Sequence, residues 1–159
     1  MGSDKGVIGK IYYTLPQYSS EKEYDMNRIY VDTNIYLNLF QGESGRWHNF
    51  ADLAVHLFNK VKKGEYTLVI SDWVIQEFSK KQDAREIQKV IDDIPQKHII
   101  HLKTTPQDKQ KARKLSSTNY PDALHVVLAM RSNAVYLVTR DSDYQEFSNL
   151  IEIRFPEEL

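Results

Sequence analysis

Apolar positions in this chain fall into short strand-length blocks separated by stripes at helical spacing. Ile29 to Val31 reads as a buried strand, cut off by Asp32-Thr33-Asn34, and a short helical stretch follows from Ile35 to Phe40. After a break at Gly42 to Gly45, Trp47 to Lys63 carries Phe50, Leu53, Ala54, Leu57, Phe58 and Val61 at helical spacing. Gly64 suits the end of that helix. Tyr66 to Ile70 predicts a second strand, and Ser71 a helix cap ahead of Trp73, Val74, Glu77 and Phe78. A charged helix from about Asp83 to Asp93 closes at Pro95, His98 to Leu102 predicts a third strand, and Pro106 opens a Lys-rich helix to Leu115. Asn119-Tyr120-Pro121-Asp122 starts a helix that breaks at Ser132-Asn133. Strands at Val135 to Val138 and Ile151 to Phe155 complete the pattern.

Strands alternating with helices predict an α/β fold: a three-layer α/β/α sandwich around a mostly parallel sheet of about five strands. Residues 1–27 lack periodicity and read as an N-terminal extension; 28–159 read as one domain. The length of 159 residues, with 41% hydrophobic and 27% charged, suits a single core. The absence of cysteine excludes disulfides, thiolate metal sites and cysteine nucleophiles, which fits the cytoplasm. No apolar run reaches the roughly 20 residues of a membrane helix, and the N-terminus lacks a signal-peptide pattern. The formal net charge of -1 leaves the choice of partners to the distribution of charge.

Chemistry enters through the strand ends. In an open parallel sheet, ligands bind outside the carboxyl ends of the strands, where the following helices begin. Asp32 ends the first strand, and Asp141 follows Val138 after Thr139-Arg140, with Asp143 close behind. Glu77 lies early on the helix after the second strand, and Asp122 lies in the first turn of the helix feeding the fourth. Topology therefore predicts that Asp32, Glu77, Asp122 and Asp141 converge on one rim. Unpaired carboxylates about 4 Å apart repel by roughly 4 kcal/mol at an effective dielectric of 20. A divalent cation relieves that cost, and oxygen donors without cysteine or a His pair favour Mg²⁺ or Mn²⁺. Hydrolysis of a phosphodiester suits such a site. Taken singly, Asp32 and Asp122 also read as helix caps, Glu77 as a solvated helix acid, and Asp141 and Asp143 as loop residues.

The segments Val31-Asp32-Thr33-Asn34, Ser71 to Phe78, Pro121-Asp122-Ala-Leu-His125 with Ala129, and Leu137 to Tyr144 together resemble the PIN (PilT N-terminus) nuclease family, over Arg28 to about Phe155. The resemblance implies a Mg²⁺- or Mn²⁺-dependent ribonuclease in which Asp32, Glu77, Asp122 and Asp141 bind metal and serve catalysis, Asp143 is an accessory acid, and Asn34 and Thr139 support the first acid and the water. Tyr144 departs from the Phe of many relatives. His125, three residues after Asp122, reads either as a pocket residue or as a buried structural histidine. The resemblance further implies RNA as substrate, a toxin-like role of VapC type with an antitoxin partner or a housekeeping role in RNA processing, and a homodimer.

An acidic site needs bases around it to hold RNA. Lys80, Lys81, Arg85, Lys103, Lys109, Lys111, Arg113 and Lys114 qualify by type, although a Lys-rich helix face is usually just solvated. Arg140, beside Asp141, has a geometric reason to contact phosphate. Tyr36, Trp73, Tyr120 and Tyr144 are placed to stack unpaired bases, with core packing the bland alternative for Trp73. A receiver-type domain is rejected because the late strand ends in Thr-Arg-Asp, and an aspartyl phosphatase because Asp32-Thr33-Asn34 is not Asp-x-Asp. A non-catalytic RNA-binding or scaffold domain is the alternative to be tested.

Overall fold

The structure, a computed structural model, describes residues 27–40 and 49–159. The expected extension, apart from Asn27, and the expected Gly42 to Gly45 break lie outside the described residues. The chain runs through β1 (Arg28–Val31), α1 (Thr33–Asn38), α2 (Asn49–Lys62), β2 (Thr67–Ser71), α3 (Asp72–Ser79) and α4 (Ala84–Asp92). It continues through β3 (Ile99–Leu102), α5 (Pro106–Leu115), α6 (Tyr120–Arg131), β4 (Tyr136–Val138) and β5 (Glu152–Arg154). Short 3₁₀ turns occupy Gln96–His98, Ser142–Phe147 and Pro156–Glu158.

All strands are parallel, in the order β3-β2-β1-β4-β5. The strands are short and apolar on both faces: Ile29, Tyr30, Val31, Leu68, Val69 and Leu137 are fully buried. A parallel strand needs this composition because the crossovers lay helices over both faces. Right-handed crossovers put the helices of β1-to-β2 and β2-to-β3 on one face. The return from β3 to β4 runs the other way across the sheet, which sends α5 and α6 to the opposite face. Accordingly α1 packs on α2 and α3, while α5 packs on α6. The order reverses beside β1, between β2 and β4, and that topological switch point is where an open sheet leaves a crevice. Asp32 stands at its mouth, with its backbone N–H bonded to the Val138 carbonyl at 2.9 Å.

Local chemistry sets the boundaries. α1 begins at Thr33 rather than Ile35 because the Asp32 carboxylate takes the Thr33 N–H, so this acid is itself the cap. Ser71 caps α3 by accepting from Val74 N. Thr105 and Asp108 form a reciprocal capping box with Pro106 in the first turn of α5. After α2, Gly64 turns at φ 86°, where a Cβ would stand 2.8 Å from the His98 ring. β5 is shorter than the Ile151 to Phe155 run, since only Glu152 to Arg154 ladder with β4. Among the described residues, no helix is long and apolar enough to cross a membrane.

Candidate active site

The carboxylates gather at the C-terminal edge of the sheet in two adjoining groups. Oxygen and nitrogen atoms of Asp32, Glu77 and His125 lie within 4.8 Å of one another, and so do carboxylate oxygens of Asp122, Asp141 and Asp143.

The first group is largely buried, with Glu77 partly open to solvent, and densely hydrogen-bonded. Asp32 Oδ1 accepts from Thr33 N (2.7 Å) and the Tyr144 hydroxyl (3.2 Å), and Oδ2 accepts from Thr139 Oγ1 (2.8 Å). Glu77 Oε1 accepts from Thr33 Oγ1 (2.6 Å) and from His125 Nε2 (2.7 Å). His125 Nε2 also lies 3.6 Å from Asp32 Oδ1. On its other side, His125 Nδ1 meets the Tyr30 hydroxyl at 2.7 Å, which in turn meets Ser71 Oγ at 2.7 Å. Burial pushes the His125 pKa down, but the Glu77 hydrogen bond and the charges of Asp32 and Glu77 overcome this and raise it. Burial pushes Glu77 up, but the hydrogen bond and charge of His125 bring it below its ordinary value. The two shifts agree on an imidazolium–carboxylate pair. In that state both ring nitrogens donate, Nε2–H to Glu77 and Nδ1–H to Tyr30. Asp32 is raised, chiefly by burial, with His125 and Thr139 opposing.

The second group is more open. Asp122 is half-buried in the first turn of α6, and its pKa is pushed up to about 6 by burial and by the charges of Asp32 and Asp141. Asp32 thus ties the two groups together electrostatically. Asp141 caps the turn Ser142–Phe147, with Oδ1 accepting from Asp143 N at 2.9 Å. Thr139 joins the groups through one atom: Oγ1 donates to Asp32 and accepts from Asp141 N at 3.0 Å.

These donor sets differ in what they can hold. Both ring nitrogens of His125 are already engaged, Nε2 by Glu77 and Nδ1 by Tyr30, so Asp32, Glu77 and His125 make an internally satisfied anchor. Asp122, Asp141 and Asp143 offer only carboxylate oxygens, with no cation among them from the described residues, and burial and neighbouring charge already raise Asp122. That set fits a hard divalent ion such as Mg²⁺ or Mn²⁺.

All the acids expected at the rim are therefore at the rim, but grouped differently from a simple quartet: Glu77 sides with His125, and Asp143 with Asp122 and Asp141. His125 is both fully buried and at the site, so the two readings of it were not alternatives. Among the described residues, Asn34 makes no hydrogen bond to the first acid and its buried Oδ1 finds no partner. Arg140, expected beside the site, has its guanidinium engaged by Glu157 (Nη2–Oε1 2.6 Å) and 4.2 Å from the Phe50 ring centroid. Tyr36 and Tyr144 are corrected as base-stacking candidates, because both are fully buried. Residues missed in the sequence are Thr33, Tyr30 and the Tyr144 hydroxyl. Thr33 was adjacent to Asp32, but nothing in a one-dimensional pattern shows that its hydroxyl reaches Glu77.

The PIN domain family profile matches residues 29–150. The chain belongs to the PIN domain family. That family comprises nucleases, among them toxin ribonucleases of VapC type. Two solved structures share the fold. VapC20 of Mycobacterium tuberculosis, a toxin that cleaves the sarcin-ricin loop, superposes with a TM-score of 0.55 at 14% identity, over 75% of this chain and 94% of that one. The VapBC2 structure of Rickettsia felis, bound to a DNA fragment from its promoter, matches with a TM-score of 0.52 at 19% identity, over 80% of this chain and 98% of that one. No curated protein matches the chain by sequence. In this PIN domain the acidic rim is thus built as a largely buried anchor with an open carboxylate group beside it.

Proposed function

We propose that this PIN domain is a metal-dependent endoribonuclease, with Asp122, Asp141 and Asp143 holding Mg²⁺ or Mn²⁺, and Asp32 and Glu77 completing the charge around it. The observation that carries the reading is the meeting of Asp122, Asp141 and Asp143, whose carboxylate oxygens lie within 4.8 Å of one another, with Asp122 pushed up to about 6 by burial and then by the charges of Asp32 and Asp141. When bound, the ion supplies a Lewis acid for the phosphoryl oxygen and activates water. The protein's own residues set the stage for in-line displacement. Asp32 is fixed by three donors from Thr33, Thr139 and Tyr144, so its oxygens need little reorganisation during the reaction. His125 keeps Glu77 ionised while limiting the net negative charge that an approaching phosphate meets. Tyr30 and Ser71 hold the imidazolium on the side away from Glu77.

The likeness to VapC20 and to VapBC2 supports a toxin-like role with RNA as substrate and an antitoxin-type partner, in the cytoplasm. Self-association as a homodimer belongs to the same reading and is checked by light scattering. The decisive test is cleavage of a mixed-sequence single-stranded RNA with Mn²⁺, Mg²⁺ or EDTA by the wild type, Asp32→Asn and Glu77→Gln. Metal-dependent cutting lost in both variants supports the proposal. Cutting that survives both variants places the activity elsewhere. RNA binding with no cutting by a folded wild type would favour a binding or scaffold domain.

A further inference from the structure

We infer that Trp73 and Tyr120 form a stacking platform for one unpaired nucleobase of a single-stranded RNA, with Lys80 and Arg113 gripping the adjoining phosphates. The inference rests on the nuclease reading above and narrows its substrate to a strand whose bases are unpaired at this point.

The placement follows from helix geometry. Trp73 and Glu77 are four residues apart on α3, so they share a face. Tyr120 and Asp122 occupy the first turn of α6. The two rings meet edge to face, with centroids 6.4 Å apart at 65°. The indole is held by its polar edge, since Nε1–H donates to the Pro121 carbonyl at 3.2 Å, and its ring lies 6.1 Å from that of His125. Both rings stay partly exposed, in contrast to Tyr30, Tyr36 and Tyr144 around them in the site region, which are fully buried. A rigid, partly open aromatic pair beside phosphodiester chemistry is what base stacking requires.

Charge points the same way. Lys80 Nζ lies 5.7 Å from the Trp73 centroid and the Arg113 guanidinium 5.6 Å from that of Tyr120, and both cations are exposed. Among the described residues neither forms an ion pair, whereas Arg85, Arg131, Arg140 and Arg154 all pair with carboxylates. Lys80 also feels the charge of Glu77, one turn before it on α3, but neither cation is locked in a salt bridge, and leaving an exposed ring face for a phosphate costs about 0.5–1 kcal/mol. The flank beyond Thr139 repels phosphate: its Arg140 and Arg154 are neutralised by Glu157 and Glu152, which leaves Asp141, Asp143, Glu146 and Glu158 as its net charge. An RNA strand therefore approaches over α3 and the start of α6. A duplex hides its base faces, so only a splayed or single-stranded base reaches the rings.

The probes are a short mixed-sequence single-stranded RNA, the same RNA with one abasic nucleotide moved along it, and its duplex. Wild type, Trp73→Leu, Tyr120→Leu and Trp73→Phe are compared by Mn²⁺-dependent cleavage. A second readout is quenching of indole emission in Ca²⁺, in a Trp47→Phe background that leaves Trp73 as the sole tryptophan. We expect each Leu variant to raise KM about ten-fold, the scale of one stacked base, with kcat within about two-fold and Trp73→Phe close to wild type. One abasic position weakens binding to wild type and adds nothing in Trp73→Leu; the single strand quenches the indole and the duplex does not. Unchanged KM in both Leu variants, abasic penalties equal in wild type and variants, or equal quenching by duplex overturns the inference. Cleavage without base-dependent effects removes the platform and keeps the nuclease. Base-dependent quenching without cleavage does the reverse.

Discussion

The two halves of the acidic rim solve the problem of crowded negative charge in opposite ways. Around Asp32 and Glu77 the protein supplies its own counter-charge, His125, and spends hydroxyls of Thr33, Thr139 and Tyr144 on the carboxylate oxygens. Around Asp122, Asp141 and Asp143 the described residues supply no cation, and burial with neighbouring charge raises Asp122. The contrast separates what must be rigid before any metal arrives from what is left for the metal to complete. It also explains why the anchor sits at the switch point of the sheet, where β1 and β4 can both reach it, while the open group is assembled from helix and turn starts.

The sharpest way to break that comparison is to remove the internal counter-charge. His125→Leu leaves Glu77 and the buried Asp32 without their partner. We expect a stability loss of about 3 kcal/mol in denaturant unfolding, at the low end for a broken buried pair because Glu77 is partly open to solvent. A variant as stable as wild type would mean that His125 is neutral and carries no charge balance. Thr139→Val comes next. It removes the donor to Asp32 and the acceptor for Asp141 N while keeping the β-branched shape, and we expect a loss of about 1–2 kcal/mol. Cleavage should fall by more than stability explains, because both halves of the rim lose registry. A loss in stability with kcat untouched would show that the link is only scaffold.

The ease of reading the sequence followed the same divide. Strand and helix order, the cap at Ser71, the Pro106 to Leu115 helix and the break at Ser132-Asn133 were legible because each rests on local pattern. The meeting of the acids was legible because parallel topology brings strand ends and helix starts to one edge. What stayed hidden were contacts made by side chains that a period of two or 3.6 residues classes as core. Tyr30 read as part of a buried apolar strand and Tyr144 as a ring for base stacking, yet each aims a hydroxyl at the site. The direction of Arg140 was equally hidden, since adjacency to Asp141 does not show that its side chain turns toward Glu157 and Phe50.

Relieving the open half should do the reverse of damaging the anchor. Asp122→Asn removes one of the repelling charges, and we expect the metal-free protein to gain about 1 kcal/mol at neutral pH, a value discounted for its partial exposure. Mn²⁺ should then raise its Tm less than that of wild type; equal shifts would detach the metal from this residue. The pH dependence has a definite sign. The folded pKa, about 6, lies above the ordinary 3.8, so between those values the folded state binds more protons than the unfolded. The contribution of Asp122 to stability is therefore full at low pH and lost as pH rises through about 6. Asp122→Asn should flatten that part of the profile, and in wild type Mn²⁺ binding should weaken as pH falls through about 6, because protons compete for the same oxygens. Mn²⁺ affinity that does not change across this range would remove Asp122 from the metal site.

The smallest expected effect probes the acidic flank. Arg140 is held twice, by the two oxygens of Glu157 and by the face of Phe50. Glu157→Gln weakens the first hold and leaves the second, and since Glu157 is exposed the cost should be about 0.5 kcal/mol in thermal unfolding. If Arg140 belongs to the scaffold, its guanidinium stays over the ring and KM for single-stranded RNA is unchanged. If instead Glu157 is a gate that keeps a phosphate-binding arginine out of the site, releasing it lowers KM and steepens the dependence on salt, because each new phosphate contact adds to the counterion-release slope. The comparison between the two flanks turns on this variant: an unchanged KM keeps RNA on the side of Lys80 and Arg113, and a lowered one would give the strand a second path across Asp141.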